Sequence, residues 1–157
     1  MGRKPRPTAT GNAELALRRA RPVSSLMRRH WISTTPSASV ADVVQLMRLA
    51  RVRQIPVESG GTLVGLVDHR RILASTLAQL RGDEAGTPLE AVCVDSVMDP
   101  QPPTAHPSEA LGAAALRMHD AGIGCLPVVD GGGRLVGLVV ESDLLRSVYG
   151  RGDRSTS

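Results

Sequence analysis

Apolar residues recur along this chain in two rhythms. Val40, Val43, Val44 and Met47 fall at i, i+3, i+4 and i+7, and so do Leu111, Ala114, Ala115 and Met118. Each set is the stripe of one helix face. After each stripe come two short apolar runs separated by glycines, 54–58 and 63–67 around Gly60-Gly61, then 125–129 and 135–139 around 131–133. This predicts two antiparallel hairpins, because glycine supplies the positive φ that a tight turn needs. A second helix is expected after each hairpin, over about 69–80 and 141–149. Short extended pieces at 32–35 and 103–105, ended by Pro36 and Pro107, precede the first helices. Ser39 with Asp42 three residues on predicts a helix N-cap.

The two halves are copies. Val23-Ser24-Ser25-Leu26-Met27 answers Val94-Asp95-Ser96-Val97-Met98, and Pro56-Val57 answers Pro127-Val128 at the same offset. One inserted residue then brings Leu63-Val64-Gly65-Leu66-Val67 into register with Leu135-Val136-Gly137-Leu138-Val139. The fold class expected is α+β, a tandem β-α-β-β-α repeat whose units pack through their sheets, since neither unit can hide its sheet alone. The expected division is a basic, disordered arm over 1–22, a first unit over 23–80, a linker over 81–90, a second unit over 91–150 and a flexible tail over 151–157. Within the arm, 13–20 reads as a short helix.

Composition narrows the function. Trp31 and Tyr149 are the only aromatic residues, so the core is aliphatic and no base-stacking platform can be built. No apolar run approaches the roughly 20 residues of a membrane span. Residues 1–20 lack the apolar segment of a signal peptide, and we expect a cytoplasmic protein. Cys93 and Cys125 are isolated, which suggests neither a zinc site nor a disulfide framework; Cys125 reads as a buried structural thiol. His30, His106 and His119 form no metal set. The net charge of +4 hides an asymmetry: residues 1–30 hold eight basic residues against Glu14 alone, leaving the remainder net negative. The charge therefore reads as a property of the arm, either a contact for nucleic acid or an acidic partner or a solvated tail.

The ordered set of Val-x-x-h-Met, h-Pro-Val and h-Val-Gly-h-h (h apolar), present twice, resembles the cystathionine β-synthase (CBS) domain pair, or Bateman module, over roughly residues 23–149. The resemblance implies a regulatory module that performs no chemistry, needs no cofactor and acts as a homodimer. It would bind AMP, ADP, ATP or S-adenosylmethionine between its units and signal to a regulated protein not identified by the sequence. The family's ligand motif, Gly-h-h-Thr/Ser-x-x-Asp, falls on Gly137 to Asp143, with Val140 at the hydroxyl position and Asp143 as the ribose carboxylate. In the first unit it falls on Gly65 to Arg71, where Asp68 and Arg71 replace both functional groups. The family's adenine-side hydroxyl corresponds to Ser33 and Thr104. The base pocket corresponds to Gly124, Cys125, Leu126, Pro127 and Val128, and to Arg53, Gln54, Ile55, Pro56 and Val57.

Chemistry supports the stronger of these assignments. A carboxylate at Asp143 can accept from both ribose hydroxyls, each hydrogen bond to a charged group being worth about 1.5–3 kcal/mol. The alternative is a first-turn carboxylate that steadies the helix dipole. Ser142 can stand in for the hydroxyl missing at Val140, whereas Glu141 would repel a phosphate. Arg71 has donors only and cannot accept from ribose. His69, Arg70 and Arg71 are therefore expected either to reach a phosphate held by the second unit or to be a solvated helix start. Met27, Met47, Met98 and Met118 sit at matching positions and read as core. Two other readings compete with the ligand-binding one: a dimerisation scaffold with both sites degenerate, and a nucleic-acid binder working through the basic arm.

Overall fold

In the computed structural model, residues 9–81 and 86–149 are described. The helices follow the apolar stripes. They are α1 (Ala9–Ala20), α2 (Val40–Ala50), α3 (His69–Leu80), α4 (Leu111–Ala121) and α5 (Glu141–Tyr149). The strands are β1 (Gln54–Ser59), β2 (Thr62–Asp68), β3 (Cys125–Val129) and β4 (Leu135–Val140), paired antiparallel as β1-β2 and β3-β4. The extended pieces expected before α2 and α4 are not full strands. Each makes one parallel bridge, Thr34 to Val57 and Ala105 to Val128. The Ser39 hydroxyl caps α2 by accepting from the Asp42 N–H at 3.1 Å. Gly60, Gly61 and Gly133 take the positive φ that the hairpin turns need.

The prolines inside β1 and β3 are tolerated because of where their partners point. Pro127 faces Leu138, but Leu138 exchanges both of its backbone hydrogen bonds with Arg28, on the far side. Pro56 faces Leu66, and Leu66 exchanges its bonds with Asp99 in the same way. No ladder donor is therefore lost to either proline.

Those outer pairings reveal an exchange of segments. Val23 and Met27, at the start of the first sequence repeat, are buried in the core of the second with Ala114, Met118, Leu126, Val128 and Val139. Val94 and Val97, at the start of the second repeat, are buried in the core of the first with Val40, Val43, Ile55, Val57 and Val67. Each core is completed by the opening segment of the other repeat. The two hairpins also meet directly, through the Thr62 and Arg134 bridge and its bonds Leu63 N–H to Gly133 (3.1 Å) and Leu135 N–H to Gly61 (3.1 Å). Cys125, Leu135 and Leu138 form a further cluster against Trp31 and Leu63.

The expectation of a disordered arm is corrected at its inner part. Residues 9–20 are helical, beginning four residues before the helix read from the sequence. The cause is docking: Gly112 of α4 leaves room for Arg19, and Arg18 donates to the Ser147 carbonyl of α5 at 2.6 Å. Residues 1–8 and 82–85 and the tail over 151–157 lie outside the described residues.

Candidate functional site

Asp143 sits in the first turn of α5, where the strand-to-helix junction after β4 delivers it. Its side chain is 14% exposed and is held by Arg28 in a two-pronged ion pair, Nε to Oδ2 at 2.6 Å and an Nη to Oδ1 at 3.0 Å. Arg146 approaches the same carboxylate at 3.7 Å. The Arg28 hydrogen bonds hold the Asp143 carboxyl below the ordinary carboxylate range, against a smaller opposing effect of burial. Asp143 is thus an ionised acceptor with a cation already on it.

The other second-unit residues lie around this pair. Cys125 pairs with Val140 across β3-β4, and the Glu141 N–H donates to Gly124 at 2.9 Å. Burial pushes the Cys125 thiol up to about 12, and the Arg28 charge nearby offsets only part of that. Leu126, Pro127 and Val128 are buried. Thr104 is placed by its neighbours: Arg117 donates to its carbonyl at 2.6 Å and is itself paired with Glu109, while Ala105 pairs with Val128. Val140 is half-buried and Ser142 exposed. The fold therefore gathers Asp143, Val140, Gly124 and Cys125 at one junction, with Thr104 joined to it along β3.

In the first unit the polar side chains are engaged with one another and with the backbone. Asp68 is 7% exposed and caps α3, accepting from the Arg70 N–H at 2.8 Å. Burial raises its pKa, yet the Arg70 and Gln54 hydrogen bonds more than compensate and leave it below the ordinary range. Gln54, one of the base-pocket candidates, donates to Asp68 at 2.6 Å and accepts from the Gly124 N–H at 3.0 Å. Arg70 pairs with Asp68 and donates to the Gly122 carbonyl at 2.8 Å. His69 lies 3.2 Å from Asp68. Arg71 turns away to the Val97 and Met98 carbonyls at 3.0 and 3.2 Å. Ile55, Pro56 and Val57 are core, and Ser33 is exposed beside the Thr34 bridge. These polar groups tie the two units together at the place where a first-unit ligand was expected.

Sequence reasoning missed Arg28, assigning its charge to the arm. A signal existed. The position 71 residues on is Asp99, and Arg71 stands where Asp143 stands in the second unit. The two positions therefore carry opposite charges in the two repeats, although in the first the Arg71 guanidinium goes to the Val97 and Met98 carbonyls.

Comparison with known proteins agrees with this architecture. The CBS domain model matches residues 23–77 and 94–150, and the chain belongs to the CBS domain family. The structure of CBSX2 in complex with AMP is 29% identical, covers 80% of this chain and 94% of that one, and has a TM-score of 0.69. A CBS domain-containing protein of Dictyostelium discoideum is 27% identical over 127 residues, 78% of this chain and 88% of that protein. The chain matches 25% of a homoserine O-acetyltransferase from Methanohalophilus mahii at 29% identity, over 84% of its own length. It matches 46% of the Methanocaldococcus jannaschii protein MJ1225 at 31% identity, over 79% of its own length. The chain thus spans between a quarter and half of these two curated relatives. No helix among the described residues is long and apolar enough to cross a membrane.

Proposed function

We propose that the chain is a regulatory module that binds an adenosine nucleotide of the AMP type in its second unit, with Asp143 receiving the ribose hydroxyls. The observation that carries this reading is the placement of Asp143. It is ionised, half-buried, and set in the first turn of α5 beside the Gly124–Cys125 end of β3. The related CBSX2, solved with AMP, supports the ligand class. The base lies between Thr104 and the strand from Gly124 to Val128, and Ser142 and Val140 border the ribose side. The Gln54, Asp68 and Arg70 network leaves the first unit to bracing, so one nucleotide binds per chain. Binding acts by differential affinity for the braced arrangement.

The output surface is a self-association face. On α3, Leu73, Leu77 and Leu80 are 56, 45 and 72% exposed along one stripe, a pattern that a second copy would cover. The partial match to a homoserine O-acetyltransferase supports a role alongside a separate catalytic portion rather than chemistry in this module. Thermal melting with AMP, ADP, ATP and S-adenosylmethionine tests the reading. A ligand at 100 times its Kd adds about 2.7 kcal/mol, roughly 5–10 °C for a domain of this size. No shift with any of them, or the same shift in Asp143→Ala, would refute it.

A further inference from the structure

The geometry points to Arg28 as the residue that makes this site discriminate, admitting nucleosides that carry a 5′-phosphate and disfavouring those that do not. The inference rests on the ribose role of Asp143 proposed above.

Arg28 combines a fixed backbone with a movable head. Its N–H and C=O are both bonded to Leu138, at 2.8 and 3.0 Å, so its Cα cannot drift. Its side chain is half exposed, and Asp143 is its hydrogen-bonding partner. Both carboxylate oxygens of Asp143 are engaged by that guanidinium. A ribose that takes them competes with the guanidinium for the same two oxygens, weakening the two charge-assisted hydrogen bonds that hold the cation. A bare nucleoside therefore gains little from Asp143. A phosphate changes the balance, because its oxygens offer the guanidinium the same fork geometry that the carboxylate gave.

The place for that phosphate is within reach. Leu138, which anchors Arg28, and Val140, which stands where a hydroxyl was expected, lie on the same face of β4. They are two residues apart, roughly 7 Å, a span that an arginine side chain covers. Without a hydroxyl at 140, and with the exposed Glu141 carboxylate beside it, a phosphate needs a cation there. The first repeat shows that the ion pair is no general requirement of the fold. There the matching residues are Asp99 and Arg71, and Arg71 donates to the Val97 and Met98 carbonyls instead. By the same reasoning a ligand bearing a positive charge at its 5′ end, such as a sulfonium, is disfavoured.

Calorimetric titration of AMP and adenosine into the full chain tests this, using wild type, Arg28→Ala and Arg28→Met, the last keeping the apolar stem. Wild type should bind AMP at least tenfold more tightly than adenosine. Both variants should bind adenosine several-fold more tightly than wild type and AMP more weakly, so that the two affinities converge. An AMP-to-adenosine ratio unchanged in the variants, or equal losses for both ligands, would overturn the role of Arg28 while leaving the ribose assignment standing. Absence of binding by both ligands to wild type and variants alike would overturn the ribose assignment itself, and this inference with it.

Discussion

The carbonyl oxygen of Arg28 lies 2.9 Å from where a Cβ on Gly137 would sit, and the Met27 sulfur lies equally close. The exchanged segment thus runs directly over the glycine of the h-Val-Gly-h-h motif. Gly65 is crowded in the same way by Met98 (2.5 Å) and the Asp99 carbonyl (2.9 Å). Backbone cannot retreat as a side-chain tip can. Gly137→Ala and Gly65→Ala should each destabilise the fold by about 1–3 kcal/mol, read from urea denaturation. A change below 0.5 kcal/mol, roughly the scatter of neutral surface substitutions, would show that the segment does not press on the strand.

The exchange makes a second prediction about location. Removing two methyl groups in Val23→Ala should cost roughly 1–3 kcal/mol, and the loss should appear far along the chain. Amide exchange should quicken at Leu126, Val128 and Val139, which share its core. Val94→Ala should instead quicken Ile55, Val57 and Val67. Loosening confined to each residue's own sequence repeat would contradict the exchanged packing.

Helix ends give a stabilising test. Arg51 closes α2 in the left-handed region with φ 55°, where its counterpart Gly122 closes α4 with φ 63°. A side chain pays a steric cost there that glycine avoids. Arg51→Gly should raise stability by about 0.5–1 kcal/mol, seen as an upward shift of the thermal midpoint. A downward shift would mean that the arginine makes contacts outweighing that strain.

The two thiols should separate cleanly. Cys93 is exposed and Cys125 buried, so a thiol reagent at pH 8 should label Cys93 quickly and Cys125 only on unfolding. Because burial raises the folded Cys125 pKa to about 12, the native thiol keeps its proton. The unfolded chain loses it above about pH 8.5. Stability should accordingly decline as pH rises from there, and Cys125→Val should flatten that slope. Rapid labelling of both thiols in the native chain would contradict this.

Acid should act in the opposite sense. Asp68, Glu109 and Asp143 all have pKa values below their ordinary ones. Burial is the largest influence on Asp68, but the Arg70 and Gln54 bonds overcome it; Arg117 holds Glu109 and Arg28 holds Asp143. Their contribution is complete above about pH 4.5, the unfolded range, and is lost as pH falls through the lower folded values. Asp143→Asn should reduce the acid sensitivity of the melting temperature below pH 4 relative to wild type. An acid profile identical to that of wild type would argue that the Arg28 pair is not formed in solution.

The elements were legible because each depends on local pattern. Val40 to Met47 and Leu111 to Met118 announce their helices, and Gly60, Gly61 and Gly133 announce the turns. The exchange of segments was not legible, for a physical reason. Val23 to Met27 and Val94 to Met98 carry the same motif, so no local feature distinguishes the two pairings. Asp143 appears where its motif places it. Arg28 escaped notice because its partner is 115 residues away, beyond the reach of periodicity and capping rules. Helix α1 begins earlier than its composition suggests because it leans on α4 and α5, which the arm alone cannot reveal.

The exchange also sets a timetable for synthesis. The first repeat to leave the ribosome has all its helices and strands but lacks Val94 and Val97, while its own Val23 and Met27 belong to a core not yet made. Domains ordinarily fold in the order in which they emerge; here the first core is held open until the start of the second repeat has emerged. The opening segment must wait, unpaired and apolar, until β4 arrives. The first core can close once Val94 and Val97 emerge, whereas the second must wait for β4, so a ribosome stalled between those points leaves one closed half and one open.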